Sequence, residues 1–287
     1  MKKQSILFLG GTGYLGEKVV REVVALGQYH CYCTARHKTF KPVDGVQYIG
    51  SDNAAIEELL QKEDIYLIIN MACSYDHGLL LYHDVIESNI AFPLSVLNLS
   101  VQHGVRNFIT IGTGLPEDFN MYSVSKNCFS DFGRFYSKKH GINFVNIRLE
   151  MFYGADEPKD RFLAYVADRL FRNEEIDLTE GTQKRDIVLV DDVVRVVVEI
   201  IHRPLRGFME IPVGSGEAPT IREIVAYMKE LTGSSSVLNW GKKPMRTGGE
   251  PDCVADLSVL DTMGIKIQND WRMGLQKMLE ERKRKEF

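Results

Sequence analysis

The sequence predicts an α/β protein in which a doubly wound parallel sheet is joined to a smaller C-terminal lobe. Through the first half of the 287 residues, short apolar segments alternate with amphipathic helical patterns. This alternation is typical of a parallel sheet covered on both faces. The first segment ends in a glycine-rich turn, and after about residue 150 the rhythm changes to helices separated by short strands and prolines. We therefore predict domains 1–150 and 151–287, with some segments of the second returning to the first.

Each strand is predicted where apolar and β-branched residues run together, and each helix where apolar residues recur at three- and four-residue spacing. The predicted strands cover 4–9, 29–35, 46–49, 65–70, 107–112 and 143–149. The predicted helices cover 14–27, 53–62, 84–103, 121–140, 160–172, 191–202, 220–231 and 272–285. Ligands bind such a sheet at the carboxyl ends of its strands, so the residues after each strand are the candidates for a site.

The composition excludes several classes of protein. The chain is 44% hydrophobic and 26% charged, with a net charge of −4, which suggests neither a nucleic-acid partner nor a membrane surface. No apolar stretch reaches membrane-spanning length, and Gly10 interrupts the first one too early for a signal peptide. The five cysteines form no C-x-x-C pair, so we expect reduced, packed thiols, no metal site and a cytoplasmic protein. The basic run at 282–285 is expected to be a solvated helix face.

The glycine-rich turn has glycines at positions 10, 11, 13 and 16, between the first strand and the first helix. This is the context in which a G-x-G-x-x-G pattern binds a dinucleotide. Glycine lets the backbone approach a ligand closely, and the helix offers free N–H groups and its positive dipole end to a pyrophosphate. The pattern thus predicts a Rossmann-type cofactor site at Gly10, Gly13, Tyr14, Leu15 and Gly16.

The residue after the second strand bears on the choice of cofactor. Arg36 stands where an acidic residue would accept hydrogen bonds from the ribose of NAD, and no carboxylate lies between Glu22 and Asp44. Because Arg pairs with a 2′-phosphate, we expect NADP(H) to be preferred and NAD(H) to be possible. An Arg36 side chain stacked on the adenine would suit either cofactor.

The third and fourth strands add further candidates for the cofactor site. Asp52 would accept a hydrogen bond from the adenine amino group or cap the helix that begins at Asn53, and the two roles are compatible. Ala72 is small enough for the cofactor ribose to lie against the backbone. We therefore include Asp52, Asn53 and Ala72 in the expected cofactor site.

A hydroxyl and a Tyr/Lys pair follow the fifth strand. That strand ends in Thr113 between two glycines, and Tyr122 and Lys126 lie a turn apart on one face of the next predicted helix. Carbonyl reduction requires such a set, in which Tyr122 protonates the carbonyl oxygen and Thr113 holds it. The phenol pKa of ~10 would be lowered by the Lys126 ammonium and by oxidised nicotinamide. A surface Tyr and Lys would be the alternative explanation of the spacing.

Taken together, these motifs resemble those of the extended short-chain dehydrogenase/reductase family of nucleotide-sugar epimerases, dehydratases and reductases. The resemblance covers nearly the whole chain and implies that Asn89 belongs to the cofactor site, beside Tyr122 and Lys126. It extends to Glu87-Ser88-Asn89, Arg148 to Gly154, Gly181 to Asp186, Val190 to Val193, Arg246 to Pro251 and Ala255-Asp256.

The resemblance also implies a substrate. In that family the second lobe binds a nucleoside diphosphate sugar, so Arg185 and Arg246 would contact the diphosphate, and Glu250 the nucleoside ribose. A surface ion pair is the alternative for each Arg. The implied substrate contacts are Glu150, Tyr153, Arg185, Arg246 and Glu250.

The chain departs from the family pattern in two places. A Gly-Thr-Gly turn replaces the usual Ser-rich strand end and keeps only the Thr113 hydroxyl. Glu150 stands where the family usually has Asn, and it would bind sugar hydroxyls or pair with Arg148. Because Gly114 and Leu115 cannot move a proton, the sequence argues against 4,6-dehydration.

Within the family, the chain is similar to synthases of CDP-3,6-dideoxyhexoses, of the abequose and paratose type, which reduce a 4-keto sugar with NADPH. The resemblance therefore implies reduction of a nucleotide-linked 4-keto-6-deoxy or 3,6-dideoxy sugar. A 4-epimerase with tightly bound NAD uses the same triad and stays open, as does a non-catalytic dinucleotide-sensing regulator. The family also implies a homodimer formed through the helices at 84–103 and 121–140.

Overall fold

The computed structural model describes residues 3–36, 40–75, 82–245 and 251–286. The chain forms two compact units. Unit 1 comprises Met1–Arg148 and Val197–Ile211, and unit 2 comprises Leu149–Val196 and Pro212–Phe287. The chain therefore leaves unit 1 two residues before the boundary that the sequence suggests, and it returns to unit 1 once.

The main sheet of the described residues has seven strands in the order β10-β6-β5-β4-β1-β2-β3. Its pairings of β1 with β2 and β4, of β2 with β3, and of β5 with β4 and β6 are parallel. The predicted doubly wound, Rossmann-type parallel sheet is thus confirmed. The strands are β1 (Gln4–Leu9), β2 (Tyr29–Ala35), β3 (Val46–Gly50), β4 (Ile65–Asn70), β5 (Asn107–Ile111), β6 (Asn143–Leu149), β7 (Met151–Tyr153), β8 (Ile176–Asp177), β9 (Ile187–Leu189), β10 (Phe208–Val213) and β11 (Leu238–Asn239).

The helices predicted from the sequence lie within two residues of their expected bounds, except in the segment from 84 to 103. The short helix at 258–262 has no counterpart among the predicted helices. None of the helices in the described ranges is long and apolar enough to cross a membrane. They are α1 (Tyr14–Ala25), α2 (Asn53–Lys62), α3 (Tyr82–Ile86), α4 (Phe92–Gln102), α5 (Met121–His140), α6 (Phe162–Phe171), α7 (Val190–Ile201), α8 (Ile221–Thr232), α9 (Ser258–Thr262) and α10 (Trp271–Glu286).

The exception is a wider helical turn between α3 and α4, the π-helical segment Glu87–Ala91. Pro93 follows it at the start of α4 and has no N–H to donate to the carbonyl four residues earlier. The N–H of Phe92 donates instead to the carbonyl of Glu87, five residues earlier. Such insertions often occur at functional sites, and this one contains Asn89.

Helix α5 begins and ends at well-defined signals and packs closely on the sheet. Asn120 and Ser123 form a reciprocal capping box at its start, and Gly141 adopts a left-handed conformation at its end, with φ of 70°. Gly133 lies against the ring of Phe144 on β6, which would collide with any larger side chain. These contacts fix the position of the helix that carries the predicted Tyr/Lys pair.

In unit 2, the expectation that the run at 282–285 is solvated is wrong for its first residue. Arg282 is fully buried, with 0% exposure, and its guanidinium binds both carboxylate oxygens of Asp168 at 2.7 and 3.1 Å. It also donates to the carbonyl of Ala155. Helices α6 and α10 are thereby joined through a bidentate pair, whereas residues 283–285 are exposed.

A second buried carboxyl group of unit 2 has a shifted pKa. Glu157 accepts a hydrogen bond from the backbone N–H of Ala164 in the first turn of α6, at 3.0 Å. Burial raises its pKa from 4.5 to about 7, against the lowering effects of Arg161, the Ala164 N–H and Arg282. Between pH 4.5 and about pH 7, the folded state therefore holds a proton on Glu157 that the unfolded chain releases.

We predict that this carboxyl group makes the protein less stable as the pH rises. Its contribution is fully present below pH 4.5 and is lost as the pH passes through about 7. Glu157→Gln removes the ionisation and keeps an acceptor for Ala164. We compare the free energy of unfolding in urea of Glu157→Gln with that of wild type. The difference, variant minus wild type, should rise by about 3 kcal/mol between pH 4.5 and pH 8, because one pKa unit corresponds to about 1.4 kcal/mol.

Glu230→Gln, an exposed change on α8, serves as the control and should show a much smaller pH-dependent difference. Equal pH dependence of Glu157→Gln and wild type would contradict the prediction.

Candidate active site

The glycine-rich turn of unit 1 lies directly against the backbone that follows β4. Gly10 has φ of +70°, and a Cβ there would meet the backbone N of Ala72 at 2.5 Å. A Cβ on Gly16 would collide with the backbone of Gly10 and Gly11. Only glycine satisfies both positions, so the turn is built for close approach of main chain to main chain.

The N-terminus of α1 is suited to an anion. Its N-cap Gly13 has no side chain that could accept the first N–H groups, unlike the capping residues Asp52 of α2, Asn120 of α5 and Thr220 of α8. The N–H groups and the positive end of the helix dipole are the groups that bind a pyrophosphate. Tyr14 and Leu15 are the first two residues of this helix. The residues present therefore fit the dinucleotide that the sequence predicts.

The other expected cofactor residues lie at the carboxyl ends of neighbouring strands. Arg36 is exposed directly after β2. Asp52 caps α2, because its Oδ1 accepts from the N–H of Ala55 at 2.9 Å; this is one of the two roles expected for it. Asn53 accepts from the hydroxyl of Ser95 on α4 at 2.8 Å.

Asn89 connects the loop after β4 to helix α5. Its Oδ1 accepts from the N–H of Ser74, and its Nδ2 donates to the carbonyl of Ser74, both at 2.9 Å. The same Nδ2 donates to Oγ of Ser125, and that hydroxyl donates to the carbonyl of Tyr122 at 2.8 Å. Because both N–H groups of Asn89 are engaged in this way, its contribution to a site lies in fixing the backbone around it.

Thr113 lies in the turn between β5 and α5 and is buried. Its hydroxyl oxygen accepts from the N–H of Leu115 at 3.2 Å, and its carbonyl accepts from Nε of Arg148 at 3.5 Å. The hydroxyl hydrogen is not used by either contact. The turn itself is held by β6, since the N–H of Gly112 donates to the carbonyl of Ile147.

Tyr122 and Lys126 lie in the first two turns of α5. Lys126 is only 6% exposed, and burial lowers the pKa of its ammonium, while the charge of nearby Cys73 acts in the opposite direction. The ring of Tyr122 stacks on that of Tyr75, with centroids 5.0 Å apart and planes inclined by 27°. The loop after β4 thus lies beside both members of the predicted pair. A buried ammonium one turn from a phenol is the arrangement that stabilises a phenolate.

The expected substrate residues belong to unit 2, and two of them, Arg246 and Glu250, lie outside the described residues. Arg185 is buried, and its Nη1 donates to the carbonyls of Lys184 and Pro251. A guanidinium in this position is held beside the segment that begins at Pro251.

The structure gives Tyr153 a packing role, because it is 1% exposed in the core of unit 2. Its hydroxyl donates to the carbonyl of Trp271 at 3.3 Å. Glu150 is also buried, and its N–H donates to the carbonyl of Val213. Its carboxylate contributes, after burial, to a raised pKa of the Cys253 thiol.

The structure also identifies residues that the sequence reasoning missed. Tyr75 stacks on Tyr122, Ser125 donates to the carbonyl of Tyr122, and Ser74 is bound by Asn89, but nothing in the spacing of these residues distinguishes them in the sequence. Asn146 accounts for the first glycine of the Gly-Thr-Gly turn, since a Cβ on Gly112 would meet the Asn146 Cγ at 3.0 Å. The buried Oδ1 of Asn146 has no hydrogen-bond partner among the described residues.

The five cysteines are free, and Cys31, Cys33 and Cys253 are buried. Burial raises the pKa of the Cys33 thiol to about 12. Among the residues that the structure describes, no cluster of three or more His, Cys, Asp or Glu side chains could hold a metal ion.

The chain matches the model of the NAD dependent epimerase/dehydratase family over residues 6–211. Among curated proteins, the CDP-abequose synthase of Salmonella typhimurium is 26% identical and aligns with 97% of this chain and 98% of its own length. GDP-L-fucose synthase 1 of Arabidopsis thaliana is 23% identical over 96% of this chain and 91% of its own.

Solved structures show the same fold. The UDP-glucose 4-epimerase of Thermotoga maritima with UDP-glucose superimposes with a TM-score of 0.88, at 20% identity over 98% of this chain and 99% of that one. The UDP-glucose 4-epimerase of Thermus thermophilus in complex with NAD gives a TM-score of 0.84, at 20% identity over 99% of this chain and 100% of that one.

Proposed function

The chain belongs to the NAD dependent epimerase/dehydratase family, and on that basis we propose that it is a nucleotide-sugar ketoreductase. Its substrate is a nucleotide-linked 4-keto-6-deoxy or 3,6-dideoxy sugar. The observation that carries the proposal is the burial of the Lys126 side chain one turn after Tyr122 on α5. Similarity to CDP-abequose synthases over nearly the full chain supports reduction in particular.

Each residue of the triad has a separate task. Tyr122 donates its phenolic proton to the carbonyl oxygen of the sugar, and the Thr113 hydroxyl donates a hydrogen bond to the same oxygen and orients it. The Lys126 ammonium stabilises the phenolate that Tyr122 leaves. A bound nicotinamide supplies the hydride that the carbonyl carbon receives. Gly114 and Leu115 carry no proton-transferring group, which argues against dehydration.

The cofactor site consists of the glycine turn and the strand ends around it. The N–H groups at the start of α1 bind the pyrophosphate, and Arg36 pairs with a 2′-phosphate, so NADP(H) is preferred over NAD(H). Asp52, Asn53 and Ala72 flank the adenosine and ribose positions. Asn89 supports the site through the backbone of Ser74, as its hydrogen bonds indicate.

The substrate is proposed to be bound by residues of unit 2. Arg185 and Arg246 contact the diphosphate, Glu250 the nucleoside ribose, and Glu150 the sugar hydroxyls. We do not include Tyr153, because its burial and its hydrogen bond to Trp271 leave it no exposed surface for a ligand. The five free thiols are consistent with a cytoplasmic location, which we also propose.

We predict that the purified protein oxidises NADPH when given a CDP-, dTDP- or GDP-linked 4-keto-6-deoxy sugar, followed by absorbance at the nicotinamide band. Tyr122→Phe should lower kcat at least about 100-fold, the usual contribution of a general acid, while NADPH still binds. Tyr136→Phe makes the same change on the same helix, far from the pair, and should leave kcat within about twofold of wild type.

No NADPH oxidation with any of these sugars would contradict the reductase. Conversion of a UDP-hexose to its C4 epimer without added cofactor would instead support the 4-epimerase. Dinucleotide binding without either activity would support the regulator.

We predict that Arg36→Ala weakens NADPH binding at least about tenfold and NADH binding much less, because a charge-assisted hydrogen bond contributes about 1.5–3 kcal/mol. The dissociation constants can be measured by titration calorimetry. Lys41→Ala, which removes an exposed cation from the connection between β2 and β3, is the control. Equal losses for the two cofactors would count against contact with a 2′-phosphate.

We also propose a homodimer formed through α3 to α5 of unit 1. Val124 and Phe135 are exposed and lie on one face of α5, since eleven residues make about three turns, and Ile86 on α3 is exposed as well. Light scattering should give twice the chain mass for wild type and a monomer, or a much weaker dimer, for Phe135→Glu. Leu26→Glu, at the exposed end of α1, should remain dimeric. A monomeric wild type would refute this interface.

A further inference from the structure

We propose that Tyr75 is a positioning residue for Tyr122: its ring packs on one face of the Tyr122 phenol and holds that phenol in the orientation for proton donation. The proposal deepens the proposed function and rests on it, since Tyr122 is there the proton donor. Tyr75 lies in the loop after β4, outside the motifs that identify the family.

The two rings form a close, nearly parallel pair. Their centroids are 5.0 Å apart and their planes are inclined by 27°, which lies within the range of favourable aromatic stacking. Rotation of the Tyr122 ring away from this orientation would break the stack. The contact therefore acts on the side-chain torsions of Tyr122, which the helix backbone leaves free.

The backbone on both sides of the pair is fixed by one amide. Asn89 binds the N–H and the carbonyl of Ser74, the residue before Tyr75. It also binds Oγ of Ser125, which donates to the carbonyl of Tyr122. The contacts thus form a closed circuit from Asn89 through Ser74 to the Tyr75 ring, across the stack to Tyr122, and back through Ser125. With the backbone held in this way, the stack constrains the side-chain torsions of Tyr122.

The start of α5 adds to this constraint. Asn120 accepts from the N–H of Ser123, and Oγ of Ser123 accepts from the N–H of Asn120, at 2.8 and 3.1 Å. Tyr122 lies between these two residues, so its main chain is held by the capping box. What the box does not control is the direction of the phenol ring.

Cys73 and Tyr75 both act on α5 from the same loop. Cys73 interacts with the charge of Lys126, and Tyr75 stacks on Tyr122, while Ser74 between them is bound by Asn89. The loop after β4 therefore lies beside both members of the catalytic pair. Tyr75 is 45% exposed, so its substitution removes little buried core.

The test separates the ring of Tyr75 from its hydroxyl. Tyr75→Phe keeps the ring and should retain kcat within about twofold. Tyr75→Leu removes the ring and should lower kcat about tenfold, with the KM values for NADPH and for the 4-keto nucleotide sugar within about twofold of wild type, because misorientation of a reacting group lowers the rate rather than ground-state binding. If the Leu variant is unstable in thermal unfolding, Tyr75→Gln replaces it.

Crystal structures of the two variants give a readout that does not depend on activity. The Tyr122 ring should keep the wild-type rotamer in Tyr75→Phe and adopt another rotamer, or several, in Tyr75→Leu. The crystal structures could show this difference in the Tyr122 rotamer although wild type reduces no 4-keto sugar. The proposed function would then be wrong, whereas the positioning of Tyr122 by Tyr75 would be confirmed.

Three results would overturn the proposal. The first is wild-type kcat together with an unchanged Tyr122 rotamer in Tyr75→Leu. The second is an equal loss of kcat in the Phe and Leu variants, which would assign the effect to the hydroxyl. The third is a raised sugar KM with unchanged kcat, which would make Tyr75 a substrate contact.

Discussion

The site in unit 1 depends on the hydrogen bonds of the Asn89 amide. A single side chain pairs with both main-chain groups of Ser74 and with the hydroxyl of Ser125. Asn89 is buried, so each of these bonds also satisfies a polar group that would otherwise be costly away from water. The result is that the loop after β4 and the first turns of α5 are held together as one element.

The amide of Asn89 belongs to the π-helical segment Glu87–Ala91. In a regular helix the missing N–H of Pro93 would leave the Asn89 carbonyl without its usual donor. The wider turn at Glu87–Ala91 also changes the acceptor of the Phe92 N–H, which is the carbonyl of Glu87, five residues earlier. A departure from regular geometry is therefore found at the residue on which the loop depends, as is common for such turns.

The motif residues of unit 2 have mainly architectural contacts. The carboxylate of Asp186 accepts from the N–H and hydroxyl of Ser215 and from the N–H groups of Gly216 and Ala255. The carboxylate of Asp192 similarly accepts from Gln268 and Asn269. Each of these side chains satisfies several N–H donors of the neighbouring loops, so the two aspartates hold the conformation of those loops.

The amino-acid sequence by itself determined the parallel sheet, the positions of most helices and the order of the glycine turn, Thr113, Tyr122 and Lys126. Those features are encoded by apolar periodicity and by glycine and capping signals, which act over a few residues. Only the tertiary structure decided that Arg282 is buried against Asp168, that Tyr153 is a core residue, and that Asn89 and Tyr75 support Tyr122. These contacts join residues far apart in the chain or set side-chain orientation, and no local pattern carries that information because burial and pairing depend on what the fold brings to each side chain.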